Sequence, residues 1–490
     1  MVNPSLHSLS ATRLAEDIRT RRITSCAVVE HFIRRIERFD GEINSIVVRN
    51  FDLARERALA ADLALSRGEL WGPLHGVPMT VKECFEIESW ETTAGAEPHK
   101  DRISTRTAPV IEKIINAGAI IIGKTNVPAY AADAQTVNRL YGVTNNPWNH
   151  SYTPGGSSGG SAAALAAGLT PLELGSDLGG SIRMPAAFCG VTGLKPSWGI
   201  VSQEGHFAGA TESDDEMDLL TIGPLSRHAE DLGLLLDVLM GPVSRDAGAW
   251  QIRLPESGNQ EFEDLRLAVW LDDDSYPVDD EIKDALQRMT ENLAAWGART
   301  VRIGNPDVSL RNIYDTFYDL MVGVASASLG KESLQRFQFE KEEGKSSPDD
   351  YYFRYARACT QSHKDWLDRR AAQRGITKDW DRFFLDFDFM ICPVTLTTAF
   401  RHNSKVPPHK RTIDVNGVET PYMDIMSWAS IATLSHLPAL TLPVAMSSQG
   451  LPIGVQIIAP YLHDKSLIAF SRKIQKMLDP CRFPLDHDFG

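Results

Sequence analysis

The 490-residue sequence has few cysteines, and Cys26, Cys84, Cys189, Cys359, Cys392 and Cys481 form no Cys-x-x-Cys pair. They read as reduced, mostly packed thiols of an intracellular protein rather than a disulfide or zinc framework. Cys189 has no histidine beside it in a motif, which favours packing over nucleophilic catalysis. Basic residues are outnumbered, and a formal charge of −14 argues against a nucleic-acid partner, since phosphate binding needs concentrated Lys and Arg. No apolar run approaches the roughly 18 residues that span a membrane. The start, Met1-Val2-Asn3-Pro4, has no basic-then-apolar signal, so the cytoplasm is the expected compartment.

Repeats, low-complexity tracts and metal-ligand spacings are also missing. No metal or cofactor is expected. The acidic cluster Glu212, Asp214, Asp215, Glu216 and Asp218 lacks the alternating ligands and glycine of a calcium loop and reads as solvated. Gly155 and Gly160 have the spacing of a phosphate-binding loop, but Ser161 stands where that loop needs lysine. No Gly-x-Gly-x-x-Gly occurs there either. The histidines form no triad with a serine, and His75 reads as a packing or hydrogen-bonding residue.

What is present is hydroxyl-bearing glycine turns. Ser157 lies in Gly155-Gly156-Ser157-Ser158-Gly159-Gly160-Ser161 and Ser181 in Asp177-Leu178-Gly179-Gly180-Ser181-Ile182-Arg183, with Lys82 upstream after Gly76-Val77-Pro78-Met79-Thr80-Val81. Glycines let backbone N–H groups crowd a reacting oxygen, and a lysine in an apolar setting loses its charge readily enough to act as a base. Spacing alone does not choose between Ser157 and its neighbour Ser158.

These three segments, in this order and with the two serines 24 positions apart, resemble the amidase signature family of Ser-Ser-Lys hydrolases. Asn145-Asn146-Pro147-Trp148-Asn149, Gly193-Leu194-Lys195-Pro196, Gly223-Pro224-Leu225-Ser226-Arg227 and Gly450 to Gln456 extend the resemblance over most of the chain. It implies Ser181 as nucleophile, Ser157 as proton relay after a cis Gly156–Ser157 bond, and Lys82 as base. It further implies an oxyanion hole from the N–H groups of Leu178, Gly179, Gly180 and Ser181. Asp177 and Arg183 would orient that loop, and Ser158 and Ser176 would support it. Tyr130, Gln135, Tyr314, Phe317 and Tyr318 are candidate pocket residues. The implied substrate is a small amide, with esters and carbamates sharing the same chemistry, and a homodimer is the family-based assembly. A glutamine amidotransferase subunit is an alternative, disfavoured by the stretch Asn126 to Asp133; a non-catalytic receptor or assembly homologue is another, expected to have lost triad members.

Periodicity gives an α/β chain. Val28, Phe32 and Ile36 mark a helix with Ser25 placed as its N-cap, and Leu59 and Leu63 define one face of a second helix ending near Gly68. Ala119 to Gly123, Leu172 to Ser176, Leu265 to Leu271, Phe389 to Pro393 and Ala439 to Val444 read as strands. The family fold implies one α/β/α sandwich around a mixed, mostly parallel sheet. Within a single 1–490 domain, 1–70 is expected as an N-terminal helical layer, 71–230 as the signature core and 305–381 as a variable helical insertion carrying an exposed loop from Lys341 to Pro348.

Overall fold

The computed structural model describes residues 5–208, 216–258, 261–302, 308–326, 329–343, 350–478 and 484. Glu212, Asp214 and Asp215 of the acidic cluster, Cys481, and Gly344 to Pro348 of the expected loop lie outside them. One sheet of 11 strands runs, edge to edge, Ile46–Arg49, Ile120–Thr125, Pro78–Lys82, Leu172–Asp177, Thr221–Ser226, Thr192–Lys195, Ala439–Met446, Pro452–Ile458, Phe389–Pro393, Arg266–Val269 and Arg299–Arg302. Every residue of Pro78–Lys82, Leu172–Asp177, Thr192–Lys195 and Thr221–Ser226 is buried, which requires cover on both faces. The α/β architecture is the expected one.

Pairing differs from the expected majority of parallel neighbours. Pro78–Lys82 runs parallel to both its neighbours, as does Arg266–Val269, but the six other pairings are antiparallel. The physical reason is connection length: Ala439–Met446 and Pro452–Ile458 are joined by a short turn, which only antiparallel strands allow.

The N-terminal layer also departs from its sequence reading. Thr24, not Ser25, caps the helix Ser25–Ile43, accepting from Ala27 N, and Ser25 is its first helical residue. On Phe51–Ser66 the alanines Ala54, Ala58, Ala61 and Ala64 face inward, leaving Leu59 and Leu63 about half exposed. Small side chains allow that helix to approach Ser25–Ile43 closely, so bulk is turned out. Between them Ile46–Arg49 forms an antiparallel edge strand where only helices were expected.

The alanine-rich helix Gly159–Ala166 is buried on all sides, as a helix apolar all round must be. It packs against Arg183–Cys189 and against the strand carrying Lys82. Both glycine turns thereby become N-terminal entries to buried helices, held against the sheet. Residues 310–383 contribute four helices, Leu310–Ala325, Lys331–Glu343, Tyr351–Cys359 and His363–Phe383.

A Cβ on Gly223, in the middle of Thr221–Ser226, would lie 2.7 Å from Pro196 Cδ. Gly223→Ala should therefore lower stability by about 1–3 kcal/mol, seen as a reduced urea midpoint with unchanged slope.

Candidate active site

Lys82 ends its strand with its side chain wholly buried. Its Nζ donates to Ser157 Oγ at 2.7 Å, Ser176 Oγ at 2.9 Å and Ser176 O at 3.4 Å. Burial lowers its pKa from 10.5 to about 8, because the ammonium loses water and gains no touching carboxylate. Ser157 follows a cis peptide bond from Gly156 and is itself buried. A Cβ on Gly156 would lie 2.9 Å from Gln135 N, so the segment before Thr136 backs that bond directly.

The geometry separates the two adjacent serines that spacing leaves equivalent. Ser158 occupies the N-cap of Gly159–Ala166 without a side-chain cap, and its hydroxyl donates to Ser176 O at 3.3 Å rather than bonding Lys82. Its N–H bonds Ser181 O at 3.1 Å, tying the two glycine turns together. Ser181 is half-buried, and its hydroxyl has no hydrogen-bond partner among the described residues. The structure thus joins Lys82 to Ser157 and Ser176, and sets Ser181 on the adjoining turn.

Asp177 and Arg183 hold that turn. Arg183 is completely buried and donates from Nε to Asp177 Oδ2 at 2.9 Å and from Nη2 to Oδ1 at 2.8 Å. Its remaining donors reach Ala429 O, Gln456 Oε1 and Thr433 Oγ1. Burial would raise the Asp177 carboxyl, but the guanidinium outweighs it and holds the pKa down to about 2. The carboxylate also accepts from the N–H groups of Gly180, Ile182 and Arg183. Gly180, at φ +99°, is therefore spent on the loop rather than free for an oxyanion, which narrows the expected donor set to Leu178, Gly179 and Ser181.

The expected pocket residues are dispersed. Tyr314, Phe317 and Tyr318 are packed into the core, Tyr314 against Tyr276 with its hydroxyl on Met423 O at 2.5 Å. Gln135 is buried and exchanges hydrogen bonds with the Asn403 backbone, while Tyr130 is exposed. The wall at Gly179 is methionine instead: a Cβ there would lie 2.9 Å from Met426 Sδ and 3.5 Å from Met321 Sδ. Met321 follows Phe317 by one helical turn, so the aromatic segment reaches the site through a residue its aromatics did not flag.

Sequence reasoning also passed over His206 and Glu173. His206 Nε2 lies 2.9 Å from Ser176 Oγ. Glu173, buried beside Lys82's strand, takes hydrogen bonds from Thr80 and Thr125, and burial pushes it up to about 8. Neither sits in a motif; only sheet pairing brings them near. His75 bonds Trp71 N and Ala61 O, and Cys189 is buried with its thiol on Pro154 O. Among the described residues no group of three His, Cys, Asp or Glu could hold a metal, and no helix is long and apolar enough to cross a membrane.

Residues 27–468 match the amidase family profile. A glutamyl-tRNA(Gln) amidotransferase subunit from Psychrobacter cryohalolentis is 32% identical over 508 aligned residues, 97% of each chain. A bacterial aryl acylamidase of the amidase signature family superposes with a TM-score of 0.80 at 25% identity, covering 96% of both chains. A substrate complex of 6-aminohexanoate cyclic dimer hydrolase gives 0.80 at 25%, covering 98% of this chain and 99% of that one.

Removing the guanidinium should expose the value of the Asp177 pair. Arg183→Leu leaves a buried carboxylate unpaired and should cost about 3–5 kcal/mol at neutral pH. The wild-type advantage is present above the unfolded Asp value of about 3.9 and fades as pH falls towards 2, so melting curves of the two proteins should converge on acidification.

Proposed function

The chain belongs to the amidase signature family, and from that membership we propose that it is a serine amidohydrolase cleaving a carbon–nitrogen bond through an acyl-enzyme on Ser181. The observation that carries this reading is the 2.7 Å contact between a buried, pKa-lowered Lys82 and Ser157 on the turn tied to Ser181. Neutral Lys82 takes the Ser157 proton while Ser157 Oγ takes that of Ser181. The Ser181 oxygen bonds the carbonyl carbon, and the oxyanion falls to the N–H groups of Leu178, Gly179 and Ser181. One well-aimed donor of this kind lowers the barrier by about 3 kcal/mol. As the C–N bond breaks, the proton on Lys82 returns through Ser157 to the leaving amine. Water then repeats the sequence on the acyl-enzyme, with its own proton taking the same route.

The chemistry needs no group beyond the chain, a small amide and water. Cytoplasmic location and a homodimer belong to the same proposal, the latter checked by light scattering. Met321 and Met426 at Gly179 give the acyl group an apolar, deformable wall, which favours bulky apolar acyl chains over short polar ones. The similarity to an amidotransferase component supports a second reading, in which the same serines release ammonia from glutamine for a partner. Glutamine hydrolysis by the purified chain that exceeds anilide hydrolysis would favour that reading.

If Lys82 is the base, kcat/KM should rise with pH through a single ionisation near 8 and level off above it. Lys82→Arg cannot deprotonate in this range and should be nearly inactive. A fluorophosphonate should add once, on Ser181, and hydroxylamine should trap the acyl group as a hydroxamate. Ser157→Ala should be severely impaired, and retained activity in it alongside loss in Ser158→Ala would reverse the relay assignment.

The methionine wall makes a separate prediction. Met321→Ala or Met426→Ala should reduce kcat/KM for an octanoyl anilide about tenfold more than for acetanilide, a difference of about 1–2 kcal/mol in pocket contact. Equal losses on both substrates would remove these residues from acyl selection.

A further inference from the structure

Ser176 Oγ stands between two nitrogens, Lys82 Nζ at 2.9 Å and His206 Nε2 at 2.9 Å. A serine hydroxyl has one proton and two lone pairs, so which nitrogen receives the proton decides what Lys82 can do. An ammonium at Lys82 has three protons and three acceptors in reach, Ser157 Oγ, Ser176 Oγ and Ser176 O. Once neutral, it keeps two N–H groups and gains one lone pair. That lone pair serves the relay only if it faces Ser157, which requires Ser176 Oγ to go on accepting from Lys82. The Ser176 proton must then be taken elsewhere.

His206 is built to take it. Burial and the neighbouring Lys82 push its imidazole down to about 3, so it is neutral at any working pH and offers one bare nitrogen. Its Nδ1 is shut off from solvent and lies against the residue's own backbone carbonyl, which raises the pKa and favours the ring proton on Nδ1, leaving Nε2 bare. The backbone holds it rigidly next to the lysine strand: Phe207 N bonds Cys84 O at 2.7 Å, Glu86 N bonds Gly205 O at 2.9 Å, and the ring stands edge-on to Phe85 at 5.2 Å. Phe85 and Cys84 closely follow Lys82, so the pairing that places His206 is continuous with the strand that places the base.

We propose that His206 is a positioning residue for the Ser157–Lys82 relay: its Nε2 accepts the Ser176 proton and so keeps a Ser176 lone pair, not that proton, directed at Lys82 Nζ. Without it the Ser176 hydroxyl can turn and donate to neutral Lys82, occupying the lone pair that Ser157 needs. The inference rests on the serine amidohydrolase reading above.

The test uses the full chain and the rate of fluorophosphonate labelling at Ser181 across pH, which needs no knowledge of the substrate. His206→Leu should lower the alkaline plateau about tenfold, within the range of a misdirected general base. His206→Gln, whose amide oxygen can accept, should recover most of it. The loss should vanish in a Ser176→Ala background, because His206 acts only through that hydroxyl. If His206→Leu does not yield folded protein, His206→Phe keeps the ring against Phe85 and removes the acceptor. An unchanged plateau in a folded His206 variant, a Gln variant as slow as the apolar one, or losses that multiply with Ser176→Ala would each overturn the inference while leaving the acyl-enzyme intact. A wild type that takes no label on Ser181 would overturn both together.

Discussion

The dryness of Lys82 is the constraint on which the rest of the site depends. An ammonium removed from water is costly, and the fall from 10.5 to about 8 corresponds to about 3 kcal/mol in favour of the neutral amine. That shift exists because Pro78–Lys82 is buried along its whole length between parallel neighbours and under the alanine helix Gly159–Ala166. It persists because no carboxylate touches the nitrogen. The fields of Asp177 and Glu173 oppose the fall without overcoming it: Asp177 is ionised but bound to Arg183, and burial pushes Glu173 up to about 8.

Asp177 and Arg183 solve the opposite problem a few residues away. Both are as deeply buried as Lys82, but they touch, and the guanidinium keeps the Asp177 carboxylate ionised. A charge is retained where a turn is held rigid and given up more readily where Lys82 meets Ser157. The ion pair is a framework element: with five donors on Asp177 and acceptors from Ala429, Gln456 and Thr433 on Arg183, it locks the turn to two distant parts of the chain, the helix Ser427–Leu434 and the strand Pro452–Ile458. Hence the turn carrying Ser181 is fixed although Ser181 itself has no hydrogen-bonded hydroxyl partner among the described residues.

Much of this was legible in the sequence because it is written locally. Glycine turns, a lysine after an apolar strand and the strand–helix alternation all depend on residues within a few positions of one another. What escaped depends on tertiary approach. Ile46–Arg49 is four residues long and lies between two strong helices, too short for its alternation to register beside theirs. Leu59 and Leu63 form an apolar pair at helical spacing, yet alanines pack inward because the facing helix comes close. The sheet's antiparallel centre reflects which strands are joined by short turns, and strand patterns carry no sign for direction. His206 meets Ser176 across 30 positions through backbone pairing with Phe85, a contact no periodicity encodes.

The same division separates chemistry from choice of substrate. Lys82, Ser176 and Ser181 come from strand ends and the turn that follows, and Ser157 from the entry to the helix packed on those strands, so their geometry is set by the sheet and that helix. Met321 and Met426 come from the helix Leu310–Ala325 and the turn Tyr422–Met426, elements packed on neighbouring helices rather than part of the sheet. A change in those elements can reshape the wall at Gly179 without moving a hydrogen bond of the relay. One scaffold can therefore serve a hydrolase of apolar amides or a glutamine-consuming enzyme, and the two methionines, which offer neither charge nor hydrogen-bond donor to an amino-acid headgroup, weigh towards the hydrolase.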